Sequence, residues 1–326
     1  MLIAKSHHAL VDGISAVDIT TVLFDTDPAA PLPTAPPRPW VARPLPTPAQ
    51  LLSDALLERA TRPQELARAA SAALRGPRGL LSDARERIER AGVGSSRRPG
   101  APPSPLNVKV GPHRRYTWVD AELSELQKIK DSLGGTVNDA VLAVVAGALG
   151  SYLRARGIDT RDLVLQALVP ISVHRDGDED PTAVEIAPLA APLPVGEEDP
   201  VEQYKAIRDA VGDQEGSLRA IGARELTELD GFASPTLMSQ AARLQQSPRA
   251  FNLVVTNVPG PQVPLYLLGR RLRSLYPVVP ITGRQALEIA VMSYDGKLGF
   301  GLLADYDALP DLDVLAGPRR DAQSPV

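Results

Sequence analysis

Apolar positions along this chain follow two rhythms, one of period two and one of period about 3.6. The short run Leu2-Ile3-Ala4 predicts the end of a buried strand. Ile14, Val17, Ile19, Val22 and Leu23 then predict a short buried helix with Asp18 on its polar side. Between Pro28 and Pro48 nine prolines exclude regular structure, so this stretch reads as an extended linker, with Trp40 suited to anchor it to a domain surface or to stand near a substrate mouth. Residues 49–91 are helical in composition, with Leu51, Leu52, Ala55, Leu56 and Ala60 on one helix face and Leu66, Ala69, Ala70 and Ala73 on another. Gly, Ser, Arg and four prolines make residues 92–105 a second loop and a domain boundary.

Beyond residue 106 strands and helices alternate. Arg115–Val119 predicts a strand, Ala121–Leu133 a helix ended by Gly134-Gly135, and Thr136 the cap of a helix running to Arg156. Asn138 and Asp139 fall in the first turn of that helix, where ordinary capping chemistry and a site-supporting role both suit them. Leu163–Ile171 reads as a strand, His174–Asp180 as a polar turn, and Ala183–Val195 as a further apolar stretch. Helices follow at Pro200–Gln214 and Pro235–Leu244. Phe251–Val258 is a buried strand closed by Pro259-Gly260-Pro261, which suits equally a rigid turn holding Asn257 against a neighbouring site and plain strand-ending chemistry. Leu287–Tyr294 and Leu298–Ala304 flank Asp295-Gly296-Lys297 as a β-hairpin, Pro310–Ala316 is a closing helix, and Arg319–Val326 a frayed tail. The pattern as a whole is α/β (α+β), with mixed sheets flanked by helices.

Composition narrows the chemistry. A net charge of −4 and a pI near 5.7 argue against nucleic acid as a partner. The absence of Cys removes disulfides and thiolate metal sites and fits a reducing cytoplasm. No basic segment followed by an apolar one opens the sequence, and the longest mostly apolar run, Ala140–Leu149, is too short to cross a bilayer. Between Asp54 and Arg90 eight Arg stand against six acidic residues, which suits either a helical surface linker or an amphipathic helix meeting a membrane.

Two of the four histidines are neighbours, in His7-His8-Ala9-Leu10-Val11-Asp12-Gly13. A neutral imidazole accepts a hydroxyl proton near pH 7, so the segment suits general-base catalysis on an alcohol. Neighbours on a strand face opposite ways, so one of His7 and His8 can face a given cleft. Asp12 can order the loop, and Gly13 permits a close backbone approach. Turn chemistry alone would also select Asp-Gly. A metal site would need more ligands than His113 and His174 add.

This H-H-x-x-x-D-G segment resembles the signature of acyltransferases with the chloramphenicol acetyltransferase-like fold. Asn252–Pro261, with its Asn-Val-Pro-Gly-Pro, and Thr136–Ala143, with its Asn-Asp-x-x-Leu-Ala, resemble segments of the bacterial wax ester synthase/diacylglycerol acyltransferases. Ser293–Gly301 resembles that family's C-terminal hairpin. The chain departs from the pattern at Pro181-Thr182-Ala183, where a Gly-Asn pair is usual, and at Glu288, where Asn is usual. The resemblance implies a two-domain fold with the reaction centre at the interface. It implies direct acyl transfer from acyl-CoA, a co-substrate rather than a bound cofactor, to diacylglycerol or a long-chain alcohol. His8 would be the base, His7 and Asp12 would shape and order the site, and Gly13, Asn138, Asp139, Asn257 and Gly260 would support it. No resident metal is implied. A cytoplasmic protein meeting a membrane or lipid inclusion from one side is expected.

Family members carry much of their first domain ahead of HHxxxDG, including a Pro-Leu-Trp motif not found here. The expectation is an N-terminally truncated chain: a remnant of the first domain at 1–27, a linker at 28–105, the C-terminal domain at 106–317 and a tail at 318–326. Two alternatives remain, an inactive or lipid-binding remnant and a condensation-type transferase acting on another nucleophile. Gly299-Phe300-Gly301-Leu302-Leu303-Ala304 matches a dinucleotide fingerprint, but it lies inside a hairpin strand rather than between a strand and a helix. No phosphate loop or serine nucleophile elbow occurs in the sequence.

Overall fold

In a computed structural model the described residues are 1–5, 22–31, 41, 44–60, 101–174, 184–222, 251–281 and 283–317. Contacts group the chain into two compact units: residues 1–31, 100–217 and 245–326 form one, residues 32–99 and 218–244 the other. In the second, Pro48–Ala60 (α1) begins with Thr47 and Gln50 satisfying each other's backbone N–H groups, at 2.8 and 3.3 Å, and with Pro48 at its first position.

The larger unit is built on a six-stranded mixed sheet. Its strands are β1 (Arg114–Glu122), β2 (Val164–His174), β3 (Val184–Pro194), β4 (Leu253–Val258), β7 (Leu287–Tyr294) and β8 (Lys297–Asp305), in the order β1-β8-β7-β4-β2-β3. A separate two-residue ladder joins β5 (Tyr266–Leu267) to β6 (Arg270–Arg271). β2, β4 and β7 run parallel, while β1/β8, β7/β8 and β2/β3 are antiparallel. The β7–β8 hairpin closes as its sequence demands, with Asp295 at φ 48° and Gly296 at φ 82°, the two positive angles a tight primed turn needs.

Helices α2 (Leu123–Leu133), α3 (Val137–Ala155), α4 (Pro200–Gly222) as far as Ser217, and α5 (Leu312–Ala316) complete the unit. α3 buries Ala140, Val141, Leu142, Val145, Leu149, Tyr152 and Leu153, and its Gly150 lies where a Cβ would stand 2.4 Å from the Val195 carbonyl oxygen. Of Val201, Tyr204, Ile207 and Val211, which the sequence places on one face of α4, the last three turn inward while Val201 is exposed, and the helix extends to Gly222 rather than Gln214. Among the described residues no single helix is long and apolar enough to cross a membrane; α2 and α3 would qualify only together, and they meet at 104°.

Two buried joints tie loops to this sheet. Asn252, fully buried, accepts from the Gln166 N–H (2.8 Å) and donates to the Pro102 carbonyl (2.9 Å) and to Asn107 Oδ1 (2.6 Å). The segment Leu275–Pro277 crosses β8 so closely that a Cβ on Gly299 would sit 2.0 Å from the Leu275 carbonyl oxygen, and one on Gly301 1.9 Å from that of Pro277. The glycines of the apparent dinucleotide fingerprint therefore make room for a crossing chain, inside a strand. Tyr276 then hydrogen-bonds Asp120 and stacks near Trp118, with ring centroids 5.6 Å apart.

β3 is the outermost strand beside β2 and carries Pro188, Pro192 and Pro194, which with Ala190 share one parity along the strand. Pro188 faces Pro170, and two residues without N–H cannot exchange ladder bonds. All three prolines therefore turn their nitrogens away from β2, toward the outer edge.

Several expectations are corrected. Ala121 and Glu122 continue β1 instead of starting a helix, because their ladder with Leu298 and Lys297 holds to its last pair and Leu123 N–H closes onto the Gly296 carbonyl. β2 runs on through His174, which was expected in a turn. Leu2 and Ile3 are exposed and form no strand, having no strand partner among the described residues. Val22 and Leu23 are 85% and 48% exposed, while Phe24, not singled out from sequence, is buried. The rest of the helix predicted for residues 14–25, the Trp40 anchor, the helical face beyond residue 60, the Pro181–Ala183 departure and the Pro235–Leu244 helix lie outside the described residues.

Candidate active site

The carboxyl ends of the parallel strands β4 and β7 lie side by side, and open sheets of this kind collect ligands at such ends. β4 leaves through Asn257-Val258-Pro259-Gly260-Pro261. Asn257 is half-buried and stands in register with Val291 of β7. Gly260 comes so near β7 that a Cβ there would lie 2.1 Å from the Ser293 carbonyl oxygen. Its N–H donates to Ser293 Oγ (3.0 Å). Gln262 closes the knot: its amide N–H groups reach Ser293 Oγ (2.9 Å) and the Gly260 carbonyl (2.9 Å), and its Oε1 accepts the Gly296 N–H (3.1 Å). The turn is thereby fixed to the end of the β7–β8 hairpin.

Asn138 and Asp139 occupy the start of α3. Asp139 Oδ2 accepts from the Thr136 N–H (2.7 Å) and hydroxyl (2.8 Å), and the Asp139 N–H donates to Thr136 Oγ1 (3.2 Å), a complete capping box. Gly134 and Gly135, at φ 76° and 89°, break α2 immediately before it. α4 seals the corner: the Tyr204 hydroxyl donates to the Gly134 carbonyl (2.5 Å), and Arg208 donates to the Leu133 carbonyl. Burial, then the nearby Asp139 charge, pushes the Tyr204 hydroxyl above its ordinary pKa, with Arg208 opposing. It stays a neutral donor. Asp139 Oδ2 is thus committed to the cap, while its Oδ1 is buried without a hydrogen-bond partner among the described residues.

His7, His8, Asp12 and Gly13 lie outside the described residues. The chain that follows them enters the described structure at Val22. Among the described residues that follow, Phe24 packs on Leu265 and Tyr294, and Asp25 exchanges backbone hydrogen bonds with Tyr266 (2.8 and 2.7 Å). Leu265 and Tyr266 follow directly on the Pro259–Gln262 turn. No site role was expected from sequence for Asn252, Gln262, Ser293, Tyr294 or Phe24, although Asn252 falls in the Asn252–Pro261 segment, and Ser293 and Tyr294 in the Ser293–Gly301 segment, that carry the family resemblance.

Elsewhere, an open groove of about 450 Å³ lies at the far end of the hairpin, lined by Pro105, Val108, Lys109, Gly111, Asp305 and Asp307. Burial pushes the Asp305 pKa up, but the N–H groups of Ala308, Gly111 and Asp307, with Arg114 nearby, outweigh it and hold the carboxyl below its ordinary range. Its oxygens are committed to the backbone. Among the described residues no group of three or more His, Asp or Glu could hold a metal ion.

Comparison with known proteins covers both ends of the chain. A model of the wax ester synthase/diacylglycerol acyltransferase catalytic domain matches residues 1–141, and a model of the WS/DGAT C-terminal domain matches residues 185–322. A Mycobacterium tuberculosis protein named for diacylglycerol O-acyltransferase activity is 33% identical over 314 residues, 94% of this chain and 60% of its own length. Another from that organism, tgs1, is 30% identical over 98% of this chain and 67% of itself. The solved wax ester synthase/diacylglycerol acyltransferase of Marinobacter aquaeolei superposes with a TM-score of 0.60 at 25% identity, over 95% of this chain and 64% of that one. The chain thus spans about three-fifths to two-thirds of these relatives.

Proposed function

The chain belongs to the wax ester synthase/diacylglycerol acyltransferase family, and from that premise we propose that it serves acyl transfer from acyl-CoA to the hydroxyl of diacylglycerol or a long-chain alcohol. The observation that carries the reading is the catalytic-domain match over residues 1–141, the stretch that holds His7-His8-Ala9-Leu10-Val11-Asp12-Gly13.

In this reading His8 takes the acceptor's proton as its oxygen attacks the thioester carbonyl. The new C–O bond forms, the C–S bond breaks, and coenzyme A leaves as the thiolate, which the imidazolium then protonates. Asp12 pairs with a basic residue to hold the loop, and His7 shapes the site. Transfer is direct, through a complex of enzyme and both substrates. Because the acceptors are water-insoluble, the working place is the cytoplasmic face of a membrane or a lipid inclusion.

The test is ester formation from labelled palmitoyl-CoA with dioleoylglycerol or hexadecanol, comparing the parent with His8→Ala. Removing a general base costs about 10²- to 10⁴-fold in rate. Ester made by the parent and lost in the variant supports the reading. A folded parent that makes none overturns it for this chain and favours a lipid-binding role.

A further inference from the structure

Two hairpins of the larger unit make the same turn with different residues. Between β7 and β8, Asp295 and Gly296 take φ 48° and 82°; between β5 and β6, Leu268 and Gly269 take φ 50° and 75°. Such a turn favours Asn, Asp or Gly at its first position, and a bulky L residue seldom enters the left-handed region. Leu268 is held there with 62% of its surface exposed, so burial in the core does not account for it.

The base of this hairpin is firmly seated. The Tyr294 hydroxyl accepts the Leu265 N–H (2.8 Å) and donates to the Leu272 carbonyl (3.0 Å), and Leu265, Leu267 and Leu272 pack with Phe24 and Tyr294. Arg271 pairs with Asp295 (2.7 Å), tying β6 to the β7–β8 turn. A Cβ on Gly269 would come within 3.2 Å of the Pro28 carbonyl oxygen, so the turn is braced there too. Arg270 and Arg273 are exposed, and neither has an ion-pair partner among the described residues.

We propose that the β5–β6 tip is a docking finger for an anionic phospholipid surface, with Leu268 entering the acyl boundary and Arg270 and Arg273 meeting headgroup phosphates. Charge complementarity selects this occupant. On a chain of net charge −4, an exposed leucine beside exposed guanidinium groups suits an interface that is apolar inside and negative outside. An unfavourable backbone conformation persists where its surroundings over-determine it, and the Tyr294 seat presents Leu268 in that way. The hairpin begins shortly after the Pro259–Gln262 turn, so docking brings the carboxyl ends of β4 and β7 toward the lipid. This rests on the acyl-transfer reading, which it deepens by naming the surface that delivers a water-insoluble acceptor.

The test is flotation of the chain with vesicles of dioleoylphosphatidylcholine mixed with dioleoylphosphatidylglycerol, against pure dioleoylphosphatidylcholine. Preference for the mixed vesicles, weakening as salt is raised, is expected. Leu268→Asn should lower the partition coefficient about tenfold, the worth of one leucine side chain taken from water. Its Tm should stay level or rise, because Asn accepts the left-handed turn more readily. A purely structural role for Leu268 would not separate these two readouts. Arg270→Gln with Arg273→Gln should lower the coefficient about 25-fold, about fivefold for each charge near the surface. Val314→Ala, which trims an exposed apolar side chain on α5, should leave it unchanged. Ester formed from palmitoyl-CoA and vesicle-borne dioleoylglycerol should fall in step with binding. A parent that does not bind, that binds both vesicles equally, or whose binding survives both hairpin changes overturns the proposal. Binding that responds as expected while the parent forms no ester leaves the docking finger standing and removes the acyl-transfer reading alone.

Discussion

Replacing Gly301 by Ala tests the closest approach in the sheet. The added methyl would lie 1.9 Å from the Pro277 carbonyl oxygen, 3.1 Å from its carbon and 2.9 Å from the Tyr116 hydroxyl. The nearest obstacle is backbone, which no rotamer change can move aside, so the Leu275–Pro277 segment must lift from β8. Overpacking of this kind costs about 1–3 kcal/mol, and a backbone obstacle places Gly301→Ala near about 3 kcal/mol. For a unit of this size, about 2–4 °C per kcal/mol gives a fall in Tm of about 6–12 °C. Gly212→Ala supplies the opposite sign in the same molecule. Gly212 sits inside α4 with nothing within 4 Å of the new methyl, and Ala there should stabilise by up to about 1 kcal/mol. Urea unfolding of parent and both variants is the assay. A Gly301→Ala midpoint equal to the parent's, or below it by no more than Gly212→Ala lies above it, would refute the crossing-segment account.

Three further outcomes follow from the same geometry. Asn252→Ala leaves the buried Gln166 N–H without its acceptor and the Asn107 side chain without its donor, and should cost about 2–4 kcal/mol by urea unfolding. Thr136→Ala removes one half of the α3 capping box and should cost about 1 kcal/mol, with Thr136→Ser restoring most of it. Asp305 has a folded pKa below its unfolded value, so its contribution is present above about pH 4 and is lost as pH falls through the folded value. Asp305→Asn should therefore lower Tm at pH 7, and the gap to the parent should shrink as the pH is taken to about 3.

Short-range chemistry made much of this fold legible. Asp295-Gly296 specified its hairpin to within one residue, Lys297 and Asp305 extending β8 beyond the expected Leu298–Ala304, and Gly134-Gly135-Thr136 marked the end of one helix and the cap of the next. Tyr204, Ile207 and Val211 gave the inward face of α4. What escaped depended on partners distant in sequence. Ala121 has the highest intrinsic helix propensity of any residue type and became strand because Leu298 stands opposite it. Val22 and Leu23 look as buriable as Phe24, and only the pocket formed by Leu265 and Tyr294 decides among them. At the candidate site, Asn257 and Gly260 could be named from the Asn-Val-Pro-Gly-Pro pattern, but Gln262 and Ser293, which fix that turn, are common polar residues whose role exists only once β4 and β7 are adjacent.

The prolines of β3 bear on how this protein behaves when concentrated. A sheet extends into a fibril only if a second molecule can add at each side, since every added strand must itself offer a template. Here the outward nitrogens of Pro188, Pro192 and Pro194 bring no hydrogen to that template. Strand addition is left to β1 at the other margin, and a molecule with one adhesive margin pairs and stops. Self-association through the sheet should therefore end at two copies, whereas replacing these prolines would turn a chain terminator into a monomer for polymer growth.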